Sequence, residues 1–226
     1  MAEQKTPVPA RHRRPVTSTE REDRIASAAA QRMVATTADL IAQRGIAAAN
    51  VREIAAACRV SAATPLWYFG SKGRLLIEVL HRQRDARLEF LLSCIADATS
   101  RDELVEGLHR TVLAFLEQRS HRGDYELITE INRLAIDDQD VATRRGELRR
   151  EYRDVLARCL GDKERAGVVS LAGHSTSVAG LVISVTQGLA AEIAGDRGWK
   201  FEEALADARL VIEALLQKPP EGTRVG

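Results

Sequence analysis

An all-α fold follows from three features of this 226-residue chain. Apolar residues recur at helical spacing in one segment after another, capping pairs open several of those segments, and no strand-length alternation separates them. Ala and Leu dominate the apolar set while only nine residues are aromatic, which favours helix over sheet. The pattern predicts about nine helices, an N-terminal three-helix unit and a larger C-terminal helical domain. At 45% hydrophobic the chain has enough apolar material for a packed core, so wholesale disorder is excluded.

Residues 1–18 hold Pro7, Pro9, Pro15 and the cluster Arg11, His12, Arg13, Arg14, with almost nothing apolar to bury. They are expected to form a flexible basic arm, either laid on a polyanion or simply solvated. Thr19 and Glu22 have capping-box spacing, and Ile25, Ala28, Ala29, Met33, Leu40 and Ile41 follow at helical intervals up to Gly45. Asn50 with Glu53 opens a short helix carrying Val51, Ile54, Ala55 and Cys58. Ser61 opens a second short helix, ended at Gly70.

Ser71 is placed to cap a long helix over 72–95, and Ser100 with Glu103 starts the next, with Leu104, Leu108, Val112, Phe115 and Leu116 on one face. His121 to Asp124 predicts a loop, followed by a helix carrying Leu127, Ile128, Ile131 and Leu134. An acidic break at 137–140 precedes a helix stopped by Gly161. A long apolar helix over 162–194 and a last one over 201–217, ended by Pro219-Pro220, complete the chain.

Lys plus Arg number 33 against 32 Asp plus Glu, a net charge of +1 that excludes a histone-like binder. The total hides an asymmetry, because residues 1–80 hold 12 basic and 7 acidic side chains and the remainder is mildly acidic. A polyanion is therefore expected at the N-terminal end. Cys58, Cys94 and Cys159 are odd in number and widely spaced, which suits a reducing cytoplasm better than a disulfide framework. No charged segment runs into an apolar one at the start, so a signal peptide is not expected.

Two short helices joined by a tight turn, after a longer helix, have the size of a helix-turn-helix module, whose second helix enters the major groove. Val51, Ile54, Ala55 and Val60 are expected to form its small interior. The run Gly45-x5-Val51-Arg-Glu-Ile-Ala55-x4-Val60-Ser61-x2-Thr64-x3-Tyr68-Phe69-Gly-Ser71-Lys72-x2-Leu75 closely resembles the DNA-binding signature of the tetracycline-repressor (TetR) family. The resemblance covers about residues 25–80; the remainder is similar only in layout.

That resemblance implies Ser61 as N-cap, with Ala62, Ala63, Thr64, Pro65 and Trp67 on the groove-facing helix. It puts Tyr68 and Lys72 against phosphates, with Asn50 and Arg52 on the same DNA-facing side. Phe69 reads as core, and Tyr68 is open between core and backbone contact. Three residues depart from the family pattern: Arg59 where Gly is usual in the turn, Leu66 in place of an aromatic, and Pro65, which lacks a helix donor. If Thr64 caps instead of Ser61, Pro65 takes the favoured first helical position.

From Ala166 to Ala191 the chain has no Lys, Arg, Asp or Glu, long enough for a membrane span but studded with Ser, Thr, His and Gln. A buried helix fits better, and no membrane partner is expected. Its small positions Gly173, Ser177, Gly180, Ser184 and Gly188, beside Val178, Leu181 and Val185, with Leu205 and Ile212 on the last helix, suit a homodimer interface, although an intramolecular core would look alike.

The resemblance also implies a cavity for a small-molecule effector, with Phe115, Ile128, Tyr152 and His174 as candidate lining residues. Each would look the same as plain core, and His174 equally suits a satisfied interior histidine. No metal-ligand spacing, nucleophile motif or phosphate-binding loop occurs, so no cofactor, metal or catalysis is expected. Glu126 and Glu130 share a helix face and are expected to be exposed.

The expected organisation is an arm at 1–18, a helix-turn-helix domain at 19–71, an effector and dimerisation domain at 72–218 and a tail at 219–226. The function expected is a cytoplasmic, ligand-responsive regulator, foremost a repressor, binding a palindromic operator on double-stranded DNA as a homodimer. The competing reading is a helical ligand- or protein-binding dimer that has lost sequence-specific DNA readout, motivated by Arg59, Leu66 and Pro65.

Overall fold

The computed structural model describes residues 23–120, 122–195 and 200–220. The Thr19–Glu22 pair, the basic arm and the tail beyond Pro220 lie outside the described residues. Within them the chain is all-α, with one two-residue antiparallel pairing.

Residues 23–26 are helical, and the helix expected to run on through Ala28 breaks at Ser27. The Ser27 hydroxyl accepts from Ala30 N at 3.3 Å and so starts α1 (Ala28–Arg44). Gly45, at φ +77°, ends it, and a 3-10 turn (Ile46–Ala48) leads to α2 (Val51–Ala57). Asn50 Oδ1 accepts from the backbone N–H groups of Arg52 and Glu53 at 3.1 and 3.0 Å, the cap expected there. α3 (Thr64–Phe69) and α4 (Lys72–Ile95) follow, the latter capped by Ser71 Oγ on Arg74 N at 3.2 Å.

α5 (Arg101–Ser120) and α6 (Arg122–Asp137) leave less loop than the sequence predicts, since Arg122 to Asp124 are already helical. Asp138 caps α7 (Gln139–Arg165) through Asp140 N and Val141 N. α7 does not stop at Gly161, because the charged run at 162–165 is good helix former and Gly161 sits against Ser175. The true stop is Gly167 at φ +72°, with Val168 N on Lys163 O and Gly167 N on Glu164 O, a Schellman closure. The single helix expected over 162–194 is therefore divided: the end of α7, a short strand β1 (Ser170–Leu171), then α8 (Ser175–Gly195). α9 (Phe201–Leu215) runs into β2 (Leu216–Gln217), which pairs with β1.

Apolar side chains gather in two cores. The first joins Met33, Ile41, Ile54, Phe69, Leu75 and Leu76 to Leu127 and Ile131 of α6 and Val141 of α7. The second joins Leu91 and Ile95 of α4 to α5, the later part of α7, α8 and α9. α4 thus supplies both cores, and α6 is packed into the same interior as the short helices. α8 is long and apolar enough to cross a membrane, yet its Val178, Ala179, Val182 and Ile183 are buried within the chain.

Candidate nucleic-acid interface and cavity

The turn between α2 and α3 is built on Arg59, at φ +55° the one left-handed residue other than glycine among the described residues. Val60 N bonds Ala55 O at 2.9 Å and Arg59 N bonds Ala56 O at 3.0 Å, which closes α2 and fixes its angle to α3. Val60, expected inside, is 38% exposed.

Ser61 does not cap α3. A helix starting there needs a donor from residue 65 to Ser61 O, and Pro65 has none. Thr64 N takes that carbonyl at 2.9 Å, the Ser61 and Thr64 hydroxyls pair at 2.8 Å, and the regular helix begins at Thr64. Pro65 is buried, so it does not face the groove. Ser61, Ala62 and Ala63 are exposed, Thr64 is half-buried, and Leu66 and Trp67 stand out at 44% and 52% exposed. Asn50 and Arg52 are exposed at the start of α2.

Trp67 is held from both sides, with the Arg24 guanidinium 4.4 Å above its ring and Tyr68 edge-on at 4.7 Å. Tyr68 is half-buried against the first core, and Phe69 is fully buried in it.

Lys72 is already engaged. Its ammonium lies 2.9 Å from Glu130 Oε1 on α6, and Arg133 binds the same carboxylate at 2.8 and 3.1 Å. Arg133 first, and Lys72 after it, hold Glu130 down to about 2 against the opposing effect of burial. One turn earlier Glu126 Oε2 accepts from Ile46 N at 2.9 Å. These carboxylates are therefore neither free nor idle: both tie α6 to the helix-turn-helix unit. Their i,i+4 spacing was visible in sequence, but only the fold supplies the Ile46 and Lys72 partners.

The opposite face of α6 lines a cavity of about 430 Å³ among α4, α5, α6, α7 and α8. Tyr125, Ile128, Thr129 and Asn132 come from α6, while Phe115 and Tyr152 separate this space from a second one of about 380 Å³. Burial pushes the Tyr152 phenol up, with Arg87 opposing. Of the four expected lining residues, Phe115, Ile128 and Tyr152 lie on the cavity. His174 does not; it is exposed at the start of α8, outside the lining.

On α8 the outward stripe is Ser177, Leu181, Ser184 and Gly188, with Gly180 and Val185 half-buried beside it. Val178 and Ile212, expected at a subunit interface, are buried in the chain's own core, and Leu205 packs against that core. The apolar residue that α9 does present is Leu210, 68% exposed.

Among the described residues no group of three His, Cys, Asp or Glu side chains could hold a metal ion. Burial pushes the Cys58 and Cys159 thiols up, away from the reactive thiolate form.

An exposed short helix after a tight turn, braced from behind by a helical domain that bears a cavity, defines a helix-turn-helix DNA-binding protein. Residues 34–79 match the family model of bacterial regulatory proteins, tetR family, which spans α2, α3 and the turn between them. Residues 34–79 carry the DNA-binding domain of that family, which makes the chain a DNA-binding transcriptional regulator.

In structure the chain is similar to a transcriptional regulator from Saccharomonospora viridis in complex with choline, at 17% identity and TM-score 0.64, over 87% of this chain and 99% of that one. It is similar to the fatty acid degradation regulator FadR from Bacillus halodurans, at 16% identity and TM-score 0.62, over 88% and 98%. A TetR-family regulator from Pectobacterium atrosepticum gives 21% identity and TM-score 0.63, over 90% and 100%. These likenesses carry the fold. No curated protein matches the chain.

Proposed function

We propose that this regulator is a cytoplasmic repressor that binds a palindromic operator as a homodimer and lets go when a small molecule fills the 430 Å³ cavity. The observation that carries the reading is the double role of α6. One face contributes Tyr125, Ile128, Thr129 and Asn132 to the cavity, and the other holds Ile46 and Lys72 through Glu126 and Glu130. A ligand that displaces α6 moves the turn before α2 and the N-terminus of α4 with it. Half-sites lie about 34–36 Å apart on the duplex, so a shift of a few Å in each reading helix loses register.

In this reading Ala62, Ala63, Thr64 and Trp67 face base edges, while Asn50, Arg52, Ser61, Tyr68 and Lys72 face the phosphates. Leu181 and Leu210, with Ser177, Ser184 and Gly188, form the subunit contact. The cavity has the volume of small-molecule sites in general, and the choline held by the Saccharomonospora viridis protein supports a ligand in a fold of this kind.

Selection of genomic fragments by the purified protein at near-physiological salt tests the reading. The expected result is recovery of a palindrome whose two halves are protected together. Binding that is blind to sequence would refute the operator assignment.

A further inference from the structure

Four arginines, Arg84, Arg87, Arg145 and Arg149, line the 430 Å³ cavity, and among the described residues no Asp or Glu does. They are not equivalent. Arg84 is neutralised outside the lining by Asp85 and Glu151. Arg87 lies over the Phe115 ring at 5.2 Å. Arg145 and Arg149 are one helical turn apart on α7, and among the described residues no carboxylate pairs with either. Arg149, exposed at the rim of the cavity, donates to the Ser184 hydroxyl at 3.3 Å and, among the described residues, to no other side chain. Burial, and then the like charge of Arg149, push the Arg145 guanidinium below its usual value, so its charge stands uncompensated.

The charges are also segregated. α4 and α7 run side by side in the same direction, with Arg74 against Asp140, Arg84 against Glu151 and Lys163 against Ala96. α8 runs the opposite way, with Ser184 beside Arg149 and Ser175 beside Gly161. Arg145, Arg149 and Gln187 therefore share the end of the cavity nearest the helix-turn-helix unit, and Leu91, Leu108 and Leu156 share the far end.

We propose that the effector is an amphipathic organic monocarboxylate, its carboxylate held between Arg145 and Arg149 and its apolar body directed toward Leu91, Leu108 and Leu156. Two guanidiniums offer forked donors that match a carboxylate. An anion there satisfies a charge the free protein leaves unpaired, whereas a cation is repelled by it. The inference rests on the effector-cavity reading above.

The test titrates full-length protein with three ten-carbon probes of one shape: decanoate, decanol and decyltrimethylammonium. Calorimetry should show decanoate binding at least about tenfold tighter than the other two. Arg145→Gln should weaken decanoate by about ten- to a hundredfold, the range for one charge-assisted hydrogen bond, and leave decanol nearly unchanged. The same variant should keep or raise the melting temperature of the ligand-free protein, which separates lost binding from lost folding.

No decanoate binding, or binding of decanol or the ammonium as tight as decanoate, overturns the inference. In the second case the cavity reading stands if Val112→Trp, which fills the space, abolishes binding. Decanoate binding undiminished by Val112→Trp puts the ligand elsewhere and overturns both.

Discussion

Lys72 and Glu130 join the two halves of the molecule, ammonium to carboxylate at 2.9 Å, across 58 residues of sequence. Lys72 is the first residue of α4, where a phosphate would be met, and Glu130 sits mid-way along α6. A carboxylate and a DNA phosphate therefore compete for one ammonium. Glu130→Gln should release Lys72, raise affinity for any DNA sequence, and steepen the dependence of log K on log salt by about 0.9, the value of one added phosphate contact. Electrophoretic mobility titrations at several salt concentrations check it; an unchanged slope would mean that Lys72 meets no phosphate.

The same carboxylate sets a pH dependence. Glu130 is held at about 2 in the folded chain, below the roughly 4.3 of a free glutamate. Its network thus stabilises fully above about pH 4.3, and that contribution is lost as pH falls from there through 2. Melting curves between pH 6 and 8 should be insensitive to it, while Glu130→Gln should flatten the acid limb between about 4.3 and 2. A wild-type acid limb retained in the variant would assign that limb to other carboxylates.

Arg59 occupies a left-handed C′ position, which costs a side chain roughly 1–2 kcal/mol. Glycine removes that cost and returns about 0.5–1 kcal/mol as extra freedom of the unfolded chain. Arg59→Gly should therefore be stabilising by about 0.5–1 kcal/mol in denaturant unfolding. It also removes a cation beside the reading helix, so DNA binding should weaken at low salt while stability rises. Loss of stability would show that the Arg59 side chain makes compensating contacts.

Much of this architecture can be read from local chemistry, because caps and glycines act within a few residues: Asn50, Ser71 and Gly45 each end or begin a helix where the spacing puts them. What is not legible depends on partners far away in sequence. Gly161 looks like a stop until Ser175 packs against it, and Glu126 looks solvated until Ile46 N is beside it. Pro65 on a two-turn helix gives no sign of which side is inward. Likewise α8 and α9 each carry apolar residues on more than one side, so periodicity alone could not tell that Val178 and Ile212 turn inward while Leu181 and Leu210 turn out.

Gly107 lies where α5 crosses α4, and a Cβ there would come within 2.3 Å of the Cys94 carbonyl oxygen. Neither backbone can give way without opening the second core. Gly107→Ala should destabilise by about 1–3 kcal/mol through overpacking, a loss larger than the roughly 1 kcal/mol that alanine gains in helix propensity. At 2–4 °C per kcal/mol for a chain of this size, the melting temperature should fall by several degrees. A rise would mean that the helices are free to separate locally.

Leu181 and Leu210 are 50% and 68% exposed on two C-terminal helices that pack on one another, and an apolar face shared by two such helices suits a covering partner. If that partner is a second copy, Leu181→Glu with Leu210→Glu places four carboxylates in one two-fold interface, where like charges repel in a desolvated setting. The double variant should keep its helical circular dichroism, since neither side chain belongs to either core, but sediment as a monomer at concentrations where the wild type is a dimer. Operator affinity should fall steeply with it, because a monomer holds one half-site and loses the gain from simultaneous engagement, a factor of order 10² or more. A variant that still sediments as a dimer would remove this face from the interface and leave the two leucines without a role in assembly.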